Sequence, residues 1–454
     1  MDKLQADDIK IAYIGGGSQG WARRLMYDLA LESRISGTVA LYDLNLEAAK
    51  TNEKIGTYIT NHPDATGKWK YEAVPAIEEA LTGADFVIIS ILPGTFEDMA
   101  KDVHLPEKYG IYQSVGDTVG PGGIRRAVRT IPMFVEIAAE IRKHCPDAWV
   151  INYTNPMSLC TRTLYEVFPA IKAIGCCHEV FETQHLLADM VGEMLNVNVK
   201  NRKDILVSVS GINHFTWLNE AAYQNIDLFP LYKQFAEKYA ETGYEKEQGK
   251  WEESVFSSSN RVKFDLFKKY GLIAAAGDRH LAEFMPPVYL KNPETVHDWK
   301  FHLTSVDFRV KDQARKITEN EQAFTGDTKV VLEPSGEEGV EILLALLGLE
   351  ELVTNVNFPN LGQIPNLPNH AIVETNALIR RNSVQPVLTK DLPLDVANMV
   401  NRHVHNQEAV LKAVLTMDNQ LLFNAFIQDP LVAAIPYEQA AALFEEMGIL
   451  QQNQ

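Results

Sequence analysis

Short, continuous apolar runs occupy residues 9–14, 38–42, 84–91, 148–153, 171–174 and 205–212. Runs of that length, bounded by Gly, Pro or Asn, predict buried strands. Between them apolar residues recur at helical spacing over 21–31 and 127–144, which predicts amphipathic helices laid on a sheet. Strand and helix thus alternate from residue 9 to about 180, the pattern of a doubly wound, Rossmann-like α/β sheet. The second half is less regular. Helices are predicted at 260–270, 339–349, 392–415, 420–427 and 437–447, and strands at 353–357 and 371–374, around a Pro/Asn-rich 358–369. Residues 238–253 read as an exposed acidic connection and 311–338 as a polar, mobile stretch. The expected organisation is a Rossmann-like domain over 1–205 and a mixed α+β domain over 206–454.

The first strand runs into Gly15-Gly16-Gly17-Ser18-Gln19-Gly20 and then a helix. Gly15, Gly17 and Gly20 fit G-x-G-x-x-G in its strand–turn–helix setting, where the helix N-terminus faces a pyrophosphate, with Ser18 and Gln19 in the same turn. Asp43 closes the second strand 23 residues beyond Gly20, near the spacing of an acid that grips ribose hydroxyls, and an acid there selects NAD over NADP.

The chain has 454 residues, 46% of them hydrophobic, and a net charge of −18. That supports a large core and makes nucleic acid and anionic membranes poor partners. No apolar run approaches a membrane span, and the N-terminus lacks a signal peptide's apolar region. Cys145, Cys160, Cys176 and Cys177 have no framework spacing, so free thiols in a reducing cytoplasm are expected.

Candidate chemistry gathers at predicted strand ends. Asn155 precedes Pro156 after the strand at 148–153, and Cys176-Cys177-His178-Glu179 follows the one at 171–174. His214 stands just past 205–212, and Asp278-Arg279-His280 with Glu283 follows a small-residue turn. A thiolate and an imidazole suit a borderline transition metal that polarises a hydroxyl or ketone oxygen of a polyhydroxylated substrate. Blander roles are open to each: buried apolar cysteines, a core histidine, Asp278 as a helix cap, and Arg279 paired with Glu283. A Gly-rich loop at 116–126 could cover a cofactor and offer Arg125 or Arg126 to an anion.

The motifs Ile14-Gly15-Gly16-Gly17-Ser18, Asn152-Tyr153-Thr154-Asn155-Pro156, Cys177-His178-Glu179, Gly211-Ile212-Asn213-His214 and Ala276-Gly277-Asp278-Arg279-His280 resemble those of the family 4 glycoside hydrolases, the NAD-dependent glycosidases. The stretches 113–124 and 275–284 most resemble the α-galacturonidase branch. The resemblance implies a lactate/malate dehydrogenase-like N-terminal sheet, cleavage of α-galacturonides, and NAD+ and Mn2+ as cofactors. It implies Cys177 and His214 as metal ligands, Asn155 on sugar hydroxyls, Asp278 as base and His178 as the acid assisting the leaving group. Hydride would leave sugar C3 for NAD+, Asp278 would take the C2 proton, and the C1–O bond would break by elimination. Water would then add and hydride return, so the nicotinamide is not consumed. A uronide needs a partner for its carboxylate, for which Arg279 is first choice and Arg125 second. The resemblance also implies a homodimer or homotetramer. Alternatives are α-glucosidase or α-galactosidase activity in the same family, or a lactate/malate-type dehydrogenase.

Overall fold

The computed structural model describes residues 5–247, 249–325 and 331–450. Six parallel strands form its N-terminal sheet: β1 (Ala6–Ile14), β2 (Ile35–Tyr42), β3 (Lys68–Val74), β4 (Phe86–Ile89), β5 (Trp149–Asn152) and β6 (Lys172–Gly175), in the order β3-β2-β1-β4-β5-β6. The chain leaves β1 toward β2 and β3, then returns to β1's other side as β4. That reversal puts the Gly15 loop at the point where such sheets bind nucleotides. Every residue of β4 and β5 is buried, as expected of strands covered by helices on both faces. The first strand's helix, Trp21–Leu31, packs on one face, and Gly120–His144 with Met157–Val167 on the other.

The remaining strands are β7 (Ile205–Ile212), β8 (Phe215–Tyr223), β9 (Ile226–Asp227), β10 (Ile273–Ala274), β11 (Leu352–Pro359), β12 (Ile372–Arg380) and β13 (Ser383–Pro386). They are antiparallel and extend the same sheet beyond β6 as β11-β12-β7-β8-β10. Register partners form one row across it: Tyr42, Ile14, Ile89, Asn152, Gly175, Asn357, Glu374 and Gly211. Residues just past the row share one belt. They include Gly15, Asp43, Asn155, Cys177 and His214. No described helix is long and apolar enough to cross a membrane.

Several expectations change. The Gly-rich loop ends at Val119, because the helix expected from 127 starts at Gly120 and takes in Arg125 and Arg126. The stretch read as mobile, 311–338, is helical up to residue 325 as part of Val306–Thr325, and its residues 326–330 lie outside the described ones. The acidic connection at 238–253 follows a helix, Phe229–Lys238, and contains another, Lys250–Glu253. Strand β3 was not anticipated, although Trp69 and Tyr71 alternate inward between exposed Lys68 and Lys70.

Candidate active site

A cleft of about 1010 Å3 is lined by Gln19, Gly20, Asn155, Cys177, His178, His214, Asp278 and Arg279. At its nucleotide end the backbone N–H groups of Gly15 and Gly16 donate to Tyr42 O, at 2.9 and 2.8 Å. Gly17 N–H donates to Asp43 Oδ2 at 2.9 Å and Asn45 N–H to Asp43 Oδ1 at 2.8 Å. Asp43 thus braces the turn it was expected to serve. The helix Trp21–Leu31 has no side-chain cap at Gly20 and no acid in its first turn, so its N–H groups are open to an anion. Helix Val306–Thr325 spans the cleft, and its Asn320 Nδ2 donates to Gln19 Oε1 at 2.9 Å. Gly15 has φ +95°, and a Cβ there would lie 2.1 Å from Ser90 O. Gly15→Ala is therefore expected to cost at least about 1–3 kcal/mol of backbone strain. It should also weaken NAD+ binding, both effects being read by calorimetric unfolding and titration.

The centre of the cleft gathers Asp117, His214 and His280, whose ligand atoms lie within 4.8 Å of one another. Asp117 comes from the loop before Gly120–His144, His214 from the β7–β8 turn, and His280 from the helix Asp278–Phe284. His214 sits at φ +63°, a left-handed conformation costly for a non-glycine residue. Burial opposes ionisation of Asp117, but Arg126, His280 and His214 outweigh it and hold the carboxyl well below its usual range. An ionised Asp117 only accepts. Thr118 Oγ1–H therefore donates to its Oδ1, at 2.8 Å, and accepts from His214 Nδ1–H, at 3.0 Å. That leaves the His214 Nε2 lone pair for a ligand. Burial, then His280, pushes the His214 imidazole down to about 3, which keeps it neutral. His280 Nε2 faces Glu179 Oε1 at 3.5 Å, and its buried Nδ1 has no partner. One carboxylate and two neutral imidazoles with spare lone pairs fit a borderline divalent ion such as Mn2+.

Cys177 lines the same cleft, its sulfur beside the Asn213 amide, but it is not one of those three mutually close donors. Burial and the charges of Glu374 and Glu179 push its thiol up, so it would ligate only by giving its proton to solvent on metal binding. His178 lies toward the nucleotide end, its ring 5.9 Å from that of Trp21 and its Nδ1 3.5 Å from Glu337 Oε1. Asn155 Nδ2 donates to Asp117 Oδ2 at 3.2 Å, and its buried Oδ1 has no partner.

Asp278 is fully buried and does cap a helix, but not its own. Its carboxylate accepts from Val262 N–H and Lys263 N–H, at 3.2 and 3.1 Å, at the start of Arg261–Tyr270. Burial pushes its carboxyl up to about 6 against the pull of Lys263, giving a better base than an ordinary Asp. Its own helix is capped by Glu179 Oε2, which accepts Gly277 N–H at 2.6 Å. The Arg279–Glu283 pair that the spacing allowed does not form. Glu283 Oε1 accepts Val115 and Gly116 N–H instead, at 2.6 and 2.9 Å. Arg125 is tied to Asp98, Asp102 and Met447 O, which removes it as a carboxylate partner. Sequence reasoning placed His280 in a candidate site loop without a metal role, and did not single out Asp117 or Arg309 for this cleft.

A family model described as family 4 glycosyl hydrolase matches residues 10–193, and one for the C-terminal domain of family 4 glycosyl hydrolases matches 209–432. An alpha-galacturonidase of Bacillus subtilis is 60% identical over 97% of both chains. A solved Bacillus subtilis structure, named as a candidate glucosidase, is 60% identical over 97% of this chain and all of its own, with a TM-score of 0.93. The 6-phospho-beta glucosidase of Thermotoga maritima, solved with manganese, NAD+ and glucose-6-phosphate, shares the fold at 20% identity over 97% of both chains, with a TM-score of 0.75.

Proposed function

The chain belongs to the family 4 glycosyl hydrolases, and from that premise we propose that it cleaves α-galacturonides with NAD+ and Mn2+ as cofactors. The identity to an alpha-galacturonidase along nearly the whole of both chains carries this reading. Support for the cofactors comes from the uncapped helix behind Gly20 and from the three convergent donors.

When bound, NAD+ supplies a reversible hydride acceptor and the ion a Lewis acid for sugar oxygens. Gly15, Gly17, Ser18, Gln19 and Gly20 would cradle the pyrophosphate, and Asp43 would exchange its hold on the turn for ribose hydroxyls. His214, Asp117 and His280 would hold the ion, with Cys177 able to join them. The free Asn155 Oδ1 accepts from a sugar hydroxyl. Asp278 takes the C2 proton, and His178 hands one to the departing glycosidic oxygen. Arg279 receives the C5 carboxylate. The division at residue 205, a cytoplasmic site and a homodimer or homotetramer belong to the same proposal. The four free thiols support the cytoplasmic site.

The test is release of nitrophenol from p-nitrophenyl α-galacturonide, α-galactoside and α-glucoside, each with and without NAD+, Mn2+ and a thiol reductant. The uronide should be cleaved only when all three are present. Undiminished cleavage without nucleotide and metal would sink the proposal. NADH accumulating in step with substrate loss would instead mark a dehydrogenase.

A further inference from the structure

Two arginines face the cleft with donors that nothing satisfies. Arg279 is 8% exposed. Its Nη2 donates to Ser114 O at 3.0 Å and to Thr304 Oγ1, while its Nε is buried without a partner. The Phe256 ring stands 5.4 Å from its guanidinium. Arg309 lies in the first turn of Val306–Thr325 and lines the same cleft. Its Nε is also buried and unpartnered, and its guanidinium makes no hydrogen bond or ion pair among the described residues. Phe256 also packs on Phe308, the residue before Arg309, with ring centroids 5.6 Å apart, and both arginines line the cleft beside it.

The acids nearby are engaged elsewhere: Glu179 accepts Gly277 N–H and faces His280. Glu283 gives Oε1 to two backbone N–H groups, and burial pushes its carboxyl up to about 8, which leaves it protonated at neutral pH. Asp117 is engaged by Asn155 and Thr118 and belongs to the metal-capable group. Buried donors without acceptors are costly. A pair of guanidinium groups with open Nε–H donors calls for an oxyanion, and a carboxylate is the planar, two-oxygen group that matches them.

We infer that Arg309 and Arg279 together seat the C5 carboxylate of the sugar, and that Arg309 makes the site choose a uronide over a neutral hexose. This rests on the activity proposed above and adds the second half of the clamp. Arg309 reaches the sugar from the helix whose Asn320 holds Gln19 in the nucleotide loop. A phosphate on C6 shares the oxyanion chemistry, so it has its own arm in the test.

Full-length wild type, Arg309→Met, Arg309→Lys and Arg279→Met are assayed with NAD+, Mn2+ and reductant. The substrates are p-nitrophenyl α-galacturonide, α-galactoside and α-galactoside 6-phosphate. Galacturonate affinity is measured separately by calorimetry, and folding by thermal unfolding. Loss of a charge-assisted, two-pronged contact should lower the uronide-to-galactoside ratio of kcat/KM about 10- to 100-fold in Arg309→Met, mainly through KM. Galacturonate affinity should fall in parallel. Lys should restore part of the ratio, having the charge without the fork. A uronide-selective wild type whose Arg309→Met variant keeps its selectivity and galacturonate affinity overturns the inference alone, as does equal loss on uronide and galactoside. A wild type that cleaves the galactoside or its 6-phosphate as well as the uronide overturns the proposed activity and this inference together.

Discussion

Removing the His214 imidazole is expected to leave about a thousandth of wild-type turnover or less, because a Lewis-acid ion contributes several kcal/mol to the transition state and each 1.36 kcal/mol is tenfold in rate. The suitable variant is His214→Gly. The residue sits at φ +63°, where glycine is at ease and alanine is not, so backbone strain cannot explain a loss. Mn2+ bound by the purified protein, counted by electron paramagnetic resonance, should fall with activity. Companion variants decide which donors matter. Asp117→Asn and His280→Gln should each weaken Mn2+ binding by tenfold or more, roughly the loss that follows even from disturbing an outer-shell partner. If Cys177→Ser weakens it as much as His214→Gly does, while Asp117→Asn and His280→Gln leave it intact, the ion lies between the Cys177 and His214 donors and the three-residue assignment is wrong.

That contrast marks where sequence reasoning works and where it stops. Ligand residues at strand ends are legible because a strand end is a local feature. An apolar run stops at a Gly or Asn, and the next polar residues must lie at the sheet's edge. Asn155, Cys177 and His214 follow from that logic, and the register row from Tyr42 to Gly211 brings them to one belt. Asp117 and His280 lie on no strand. They reach His214 from a loop and a helix, placed by contacts such as Glu283 on Val115 and Gly116 and Glu179 on Gly277, which no local pattern reports. The cap made by Asp278 shows the same limit. Spacing suggested a cap on its own helix, whereas tertiary packing put the carboxylate on the start of Arg261–Tyr270. Arg309 lies just ahead of the stretch read as polar and mobile, 311–338, where no helix was expected. The helix there is visible only once its Asn320 meets Gln19.

Asp278→Asn is expected to lower kcat about 100- to 10,000-fold, the range of a positioned general base, while leaving the protein folded. Asn can still accept from the N-terminus of Arg261–Tyr270 but cannot take a proton. Asp278→Ala removes both functions, and should add about 1 kcal/mol of instability for the lost cap to the same kinetic defect. A residue that only caps would give the opposite order, with Asn near wild type and Ala slow. The pH dependence supplies a second arm. Because burial raises Asp278 to about 6, the basic form grows in as pH rises, and kcat/KM should climb through an acid limb. Its midpoint should lie at or below about 6, since a divalent ion in the cleft favours the carboxylate. In stability the sign is reversed. A carboxyl whose folded pKa is raised contributes fully below its unfolded value and loses that contribution as pH rises through the folded one. Metal-free wild type should therefore lose up to about 3 kcal/mol relative to Asp278→Asn between pH ~4 and pH ~7. Parallel pH–stability curves for the two proteins would mean that Asp278 ionises in the fold as it does in water. Its strength as a base would then have to come from the bound ion alone.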